Sequence, residues 1–279
     1  MTVLGVIAGS RSLPLELVKE AKAQGVEKVV VACFEGETDP SVAELGDVVG
    51  WMKVGQLGRL IRFFKENHVE RCVMAGQIAP SNLFHLRPDG RALRFLLSLR
   101  ERHAHSIFGG IARELEKDGI LLIEGTPWLR GLLPGGDFHY GRPLSESQKC
   151  DLHLGLRTAR EIARLEIGQL VIVKEGTVLA VEGFEGTDAC LRRGGELAGK
   201  KGEAVAVKVA KQNHDMRFDI PCIGPRTIKT CADSGVRVLA FEGGRTFLID
   251  RDECLLIAKK AGVVMTSIPA DDSVGGPAR

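Results

Sequence analysis

Residues 3–33 read VLGVIAGSRSLPLELVKEAKAQGVEKVVVAC. Val3 to Ile7 form a short apolar run that breaks at Ala8-Gly9-Ser10. Pro14 follows, a residue suited to the first turn of a helix, where its missing N–H costs nothing. Leu15, Leu17, Val18 and Ala21 continue that helix, and Gly25 stops it. Val26 to Cys33 is then a second, nearly continuous apolar run. Runs of this kind suit parallel strands covered on both faces. Strand, glycine turn, helix and strand open a doubly wound α/β sheet.

The same grammar continues downstream. Asp47 to Trp51 reads as a strand, and Leu57, Leu60, Ile61 and Phe64 recur at helical spacing in a helix ending near Asn67. Val69 to Ala75 and Ile120 to Ile123 are further strands, ending in Ala75-Gly76-Gln77 and Glu124-Gly125-Thr126. In an open α/β sheet the carboxyl ends of the strands share one edge, where ligands bind. Glycine also simply permits tight turns, and both readings stand. The first turn lacks G-x-G-x-x-G, so the dinucleotide fingerprint is absent and a nicotinamide-dependent oxidoreductase is disfavoured. Leu83 to Arg102 interleaves leucines with arginines, which fits an amphipathic helix on a core or subunit contact, or a surface resting on lipid.

The chain has 279 residues, which favours two domains over one. The proline- and glycine-rich stretch from Thr126 to Ser145 is the candidate linker. The expected architecture is therefore α/β: a Rossmann-like parallel-sheet domain over 1–130, a linker over 131–145, a mixed α/β domain over 146–268 and a mobile tail over 269–279. The net charge of +2 argues against nucleic-acid binding, which needs a basic excess. Seven scattered cysteines without a C-x-x-C pair argue against a zinc ribbon or disulfide framework and suit a reducing cytoplasm. No signal-peptide pattern and no long apolar span are expected.

In the second half, a helix from Glu146 to Leu165 precedes a hairpin, Gln169 to Val173 and Thr177 to Gly183, turning at Glu175-Gly176. Thr187 is placed to cap the next helix. The strand starting at Ala204 leads into KQNHDMRFDIPCIGP, residues 211–225. Asp215, Arg217 and Asp219 alternate, so an extended segment would show all three on one face. Thr227 to Ser234 reads as a helix. Val236 to Phe241 and Arg245 to Ile249 read as a hairpin over Glu242-Gly243-Gly244. Asp250 is placed to cap a last helix ending at Gly262, and Val263 to Ile268 is the final strand.

No G-x-S-x-G, H-E-x-x-H or P-loop motif is present. What remains is a set of carboxylates (Glu182, Glu185, Asp188, Asp215, Asp219) among Lys208, Arg217 and Arg226. Carboxylates with phosphate oxygens and waters make the usual Mg²⁺ shell. The residues alone thus point to metal-assisted chemistry on a phosphate ester or anhydride. An ion cluster on a solvated strand edge would carry the same composition.

Four motifs add to this: GVIAGSRSLP at 5–14, MAGQ at 74–77, VEGFEGTD at 181–188 and KVAKQNHDMRFDIPCIGPRTI at 208–228. In kind and order they resemble the cytosolic UDP-2,3-diacylglucosamine pyrophosphatases of lipid A biosynthesis, the LpxI family. The resemblance implies Mg²⁺-dependent hydrolysis of UDP-2,3-diacylglucosamine to UMP and 2,3-diacylglucosamine 1-phosphate (lipid X). It also implies two domains enclosing the ligand, a homodimer, and a cytoplasmic protein that touches the inner-membrane surface transiently. Within R-x-D-x-P it points to Asp219 as the important acid, with Asp215 as second metal ligand or water-orienting base and Asp188 as a further metal ligand. Lys208 and Arg217 would hold the diphosphate, and Gly186 and Thr187 would approach the sugar phosphate. Gly9, Ser10, Gly76 and Gln77 would contact ligand from the first domain. His214 stands where the family pattern has glutamine. A nucleotide-sugar or lipid-binding protein without catalysis is the alternative.

Overall fold

The computed structural model describes residues 2–78, 88–99, 104–199, 201–210, 216–217 and 221–269. The chain divides into two compact units, the first Met1–Arg130 together with Asp215–Asp219, the second Gly131–His214 together with Ile220–Arg279.

The first unit is built on five parallel strands: β1 (Val3–Ala8), β2 (Lys28–Phe34), β3 (Val48–Met52), β4 (Arg71–Ala75) and β5 (Leu121–Leu122). Their order is β3-β2-β1-β4-β5. The buried apolar runs of β1 and β2 occupy its centre, as strands covered on both faces must. The chain steps outward from β1 to β3 and then returns to the other side of β1 as β4. That reversal is the topological switch point of a doubly wound sheet, here between the carboxyl ends of β1 and β4.

Helices cover this sheet. α1 (Leu13–Ala23) starts at its proline, as expected, and buries Leu17, Val18 and Ala21. α2 (Pro40–Leu45) and α3 (Leu57–Glu66) follow, α3 burying Leu57, Leu60, Ile61 and Phe64. The leucine–arginine stretch supplies α4 (Gly90–Ser98), capped by the Asp89 carboxylate, and its helix stops at Leu99, which is extended. Positions 79–87 and 100–103 lie outside the described residues. Arg91 braces α4 against α5 (Ala104–Glu116): it reaches Glu114 at 3.0 Å and Asp118, just beyond that helix, at 2.5 Å. The loop expected over 126–145 instead carries a short helix, α6 (Thr126–Leu129), a 3₁₀ turn at Arg130–Leu132 and the strand β6 (His139–Tyr140).

The second unit is a mixed six-stranded sheet, in order β6, β13 (Val264–Ile268), β11 (Val236–Glu242), β9 (Ala204–Lys208), β7 (Leu170–Lys174) and β8 (Thr177–Val181). β9, β11 and β13 are parallel; β7, β8 and β6 join antiparallel at the edges. On one face α7 (Glu146–Arg164) packs Leu156, Ala159 and Ile162 on Val171, Val205, Val207 and Val238. The other face carries α8 (Thr187–Leu197), α9 (Pro225–Ser234) and α10 (Arg251–Ala261), which pack Cys190, Leu191, Ile228, Cys231 and Cys254 on Ile172, Ala206, Leu239 and Phe241. Burial pushes the Cys190, Cys231 and Cys254 thiols up to about 12, so they behave as small apolar groups.

Two local expectations fail here. Residues 236–249 do not form a hairpin. β11 is buried along nearly its whole length and takes parallel neighbours on both sides. The glycines carry the chain out of the sheet, Gly243 N donating to Ile268 O and Gly244 N to Pro134 O. The run after them gives β12 (Phe247–Leu248), which pairs in parallel with β10 (Cys222–Ile223). Asp250 does not cap α10 through its side chain, because its backbone is left-handed (φ 51°). Gly262 closes α10 as expected, also in the left-handed region. The tail 270–279 lies outside the described residues.

α8 and α9 approach so closely that a Cβ on Gly195 would lie 2.1 Å from the Ser234 carbonyl oxygen. Gly195→Ala is expected to cost about 1–3 kcal/mol, the usual size of an overpacking penalty. Urea unfolding would show it as a lower midpoint at unchanged slope.

Candidate functional site

The first unit brings its four nominated residues together. Gly9 N donates to Ala75 O at 2.8 Å, and Ser10 N to Gln77 O at 2.8 Å. The Ser10 hydroxyl donates to the same Gln77 carbonyl at 2.7 Å. Gly76 is left-handed (φ 85°), and a Cβ there would sit 2.5 Å from Ser10 O; one on Gly9 would sit 2.8 Å from Gln77 O. Both glycines are thus required by the crossing of two backbones at the switch point. The loops bond to each other, while Gly76 and Gln77 remain exposed.

Beneath α3 and α4 the same unit holds a cavity of about 110 Å³, lined by Ile7, Phe34, Leu60, Met74, Ile78 and Phe95 among others. Ile7 and Phe34 come from the carboxyl-terminal ends of their strands, so this cavity lies beside the edge of the sheet where a doubly wound fold keeps ligands. Its lining is apolar apart from Gln56 and backbone, which suits an alkyl chain and not a nucleotide.

The second unit assembles the polar groups. β9 alternates, so Lys208 falls in phase with Ala204 and Ala206 on the α8–α9 face. Lys208 is 7% exposed. Its ammonium donates to the Thr187 hydroxyl at 3.3 Å and to the Cys222 carbonyl at 3.1 Å. Thr187 in turn donates to Glu182 Oε1 at 2.9 Å, and Glu182 Oε2 accepts from Gln169 N at 3.1 Å. Gly186, left-handed at φ 82°, occupies the cap position of α8. Thr187 is therefore the first helical residue, and its hydroxyl bridges lysine and glutamate instead of capping. A hydroxyl is both donor and acceptor, which lets it serve both.

Asp188, in the first turn of α8, pairs with Arg226, in the first turn of α9, at 2.6 Å. The Glu185 carboxylate pairs with Arg193. That guanidinium holds the Glu185 carboxyl below the ordinary glutamate range. A lowered folded-state value stabilises the fold above the ordinary glutamate range, and the contribution fades as pH falls through the lowered value.

Gly186, Thr187, Asp188 and Lys208 thus meet in one cluster. Met216 and Arg217 form a turn, not the extended run the alternation suggested. Arg217 belongs to the first unit, with its guanidinium 3.7 Å from the Glu116 carboxylate. Asp215, Asp219 and His214 lie outside the described residues. Among the described residues no three histidine, cysteine or acidic side chains converge as a metal site. Asp188 contributes a hard oxygen donor of the kind Mg²⁺ takes, beside the guanidinium of Arg226. The sequence reading missed the Cys222 carbonyl, a main-chain group without a residue signature.

What the described cluster can do is hold an anion. Among the described residues both acceptors of the Lys208 ammonium are uncharged, and the nearer carboxylate, Glu182, reaches it only through the Thr187 hydroxyl. A buried ammonium so placed favours an incoming phosphate oxygen, and the first turn of α8 presents N–H groups beside it.

The LpxI N-terminal domain model matches residues 3–132 and the LpxI C-terminal domain model residues 136–266. UDP-2,3-diacylglucosamine pyrophosphatase LpxI of Caulobacter vibrioides is 33% identical over 280 residues, covering 96% of this chain and 98% of the relative. Among solved structures, phosphoribosylglycinamide synthetase from Anaerococcus prevotii aligns over 66% of this chain and 39% of its own at 11% identity, with a TM-score of 0.27. The biotin carboxylase subunit of pyruvate carboxylase aligns over 66% and 36% at 13% identity, also with a TM-score of 0.27. Likenesses of that size carry no argument.

Thr187→Ala is expected to cost about 1 kcal/mol, the net worth of the hydrogen bonds lost by Glu182 and Lys208. Thr187→Ser should restore it. Urea midpoints of the three proteins check both.

Proposed function

The chain belongs to the LpxI family, and from that premise we propose that it hydrolyses UDP-2,3-diacylglucosamine to UMP and 2,3-diacylglucosamine 1-phosphate. The observation that carries the reading is the buried Lys208 ammonium held by a hydroxyl and a carbonyl. It is placed to take a phosphoryl oxygen and to offset charge that grows on that oxygen as the P–O bond breaks. Gly186 and Thr187 approach the sugar phosphate through the first N–H groups of α8. Arg217 supplies a second cation for the diphosphate. Gly9, Ser10, Gly76 and Gln77 contact the ligand from the switch point of the first unit. The apolar cavity of that unit suits an acyl chain.

The reaction as proposed uses Mg²⁺, held by Asp219, Asp215 and Asp188. Bound by these carboxylates, Mg²⁺ would supply Lewis-acid polarisation to a phosphoryl oxygen and to a water. Asp215 orients the attacking water and takes its proton. Asp219 is the acid whose loss costs most.

We further propose a homodimer in the cytoplasm, resting transiently on the inner-membrane surface. Among the described residues no helix is long and apolar enough to cross a membrane. A peripheral contact is supported by α4, which exposes Leu93 and Leu97 (70% exposed) next to exposed Arg94.

Purified protein with authentic substrate and Mg²⁺ should release UMP and the diacyl sugar phosphate in equal amounts, and chelation should stop it. Asp219→Ala should lower turnover by roughly 100-fold or more while melting cooperatively. Wild-type protein that makes no UMP would refute the reading. Binding without turnover would leave the non-catalytic alternative.

A further inference from the structure

Glu182 directly follows β8 and is 8% exposed. A carboxylate so buried is costly unless its oxygens are occupied. Both face donors. Oε2 accepts from the backbone N–H of Gln169 at 3.1 Å, and Oε1 accepts from the Thr187 hydroxyl at 2.9 Å. The backbone of Glu182 is fixed as well. Its N–H donates to Leu170 O at 2.8 Å, and Gly168 packs so closely that a Cβ there would lie 2.1 Å from Glu182 O.

A hydroxyl carries one proton and two lone pairs, and a carboxylate only accepts. The Thr187 proton therefore points to Glu182, and a lone pair is left for Lys208, whose ammonium donates to it at 3.3 Å. The Cys222 carbonyl takes a second N–H of that ammonium at 3.1 Å. Among the described residues these are its two acceptors, and an ammonium has three N–H groups. Holding two of them sets the direction of the third. A direct ion pair between Glu182 and Lys208 would place a carboxylate where an anionic ligand has to arrive. The interposed hydroxyl keeps the acid off the ammonium and still orients it.

We infer that Glu182 is a positioning residue for the phosphate site: by taking the Thr187 proton it turns a hydroxyl lone pair to Lys208 and so aims the remaining ammonium N–H at the phosphoryl oxygen. The inference rests on the functional reading above. Every group from Glu182 to the ammonium lies in the second unit. Glu182 touches no substrate and acts only through Thr187. Glutamine has nearly the same shape but one oxygen for two donors. Its NH₂ group must face either the Gln169 N–H or Thr187 Oγ. In the first case donor meets donor. In the second the Thr187 proton loses its acceptor and competes with the bond to Lys208.

The test compares wild type with Glu182→Gln, Thr187→Val and the double variant. Glu182→Gln should lower kcat/KM roughly 10-fold or more in protein that melts cooperatively, with most of the loss in kcat, since Lys208 offsets charge that grows in the transition state. Thr187→Val removes the hydroxyl and should also lower kcat/KM by roughly 10-fold or more. Adding Glu182→Gln to Thr187→Val should lower kcat/KM by no more than about 3-fold further, because the link is already cut. Exchange of the Lys208 ammonium protons with water, followed by nitrogen-15 NMR and assigned by the signal lost in Lys208→Met, gives a readout independent of turnover. It should be slow in wild type and roughly 3-fold or more faster in either single variant. A purely structural role would lower the melting temperature and leave kcat and the ammonium exchange as in wild type. Wild-type kcat in Glu182→Gln, losses that multiply in the double variant, or a wild-type ammonium that exchanges as fast as an exposed lysine would each overturn the inference. If Glu182→Gln does not fold, Thr187→Val decides alone, and unchanged kcat/KM or unchanged exchange there overturns it. Wild type without UMP release would refute the functional reading instead, and the orientation of Lys208 by Glu182 would then stand or fall on the exchange data.

Discussion

The Lys208 ammonium joins three elements of the second unit at one point. It sits at the end of β9, bonds the first helical residue of α8 and bonds the strand that leads into α9. Glu182 reaches it through Thr187, and the Cys222 carbonyl, part of the short β10–β12 pair, accepts from it directly. A lysine buried at a strand end has few uses in a core. Its stem packs among apolar groups while its ammonium donates to a hydroxyl and a carbonyl. That arrangement is strained for stability alone and suited to an anionic ligand, which is the balance expected at a site.

The first unit depends on a different constraint, the crossing of two backbones at the switch point. Gly9 and Gly76 are there because a Cβ on either would strike the other loop. The cost in backbone freedom is offset by the hydrogen bonds between Ser10 and Gln77. The unit thereby keeps polar, exposed main chain at the sheet edge and an apolar cavity just below it. A nucleotide sugar bearing acyl chains has both kinds of surface.

Much of this was legible in the residues. β1, β2 and β4 are apolar runs, β1 and β4 each stopping just before a glycine, and such runs have few alternatives to a parallel sheet. The helices announce themselves through Pro14 and the Leu57–Phe64 spacing. The pairing of β12 with β10 was not legible, because two-residue strands that pair in parallel across an intervening helix and strand leave no periodicity to read. The supposed hairpin failed for the same reason: glycines after β11 looked like a turn, and only the tertiary partners at Pro134 and Ile268 show them as an exit. In the site, residue types pointed to Lys208 and Asp188, and motif resemblance to Gly186, Thr187 and the first-unit glycines. The Cys222 carbonyl was beyond reach, since it is a main-chain group that every residue carries.

The claim that organises the rest is that Lys208 receives a phosphate. Isothermal titration of wild type and Lys208→Met with 2,3-diacylglucosamine 1-phosphate tests it most directly. A lost charge-assisted hydrogen bond predicts at least roughly 10-fold weaker binding in a variant that still melts cooperatively. Equal affinity in the two proteins would contradict the account.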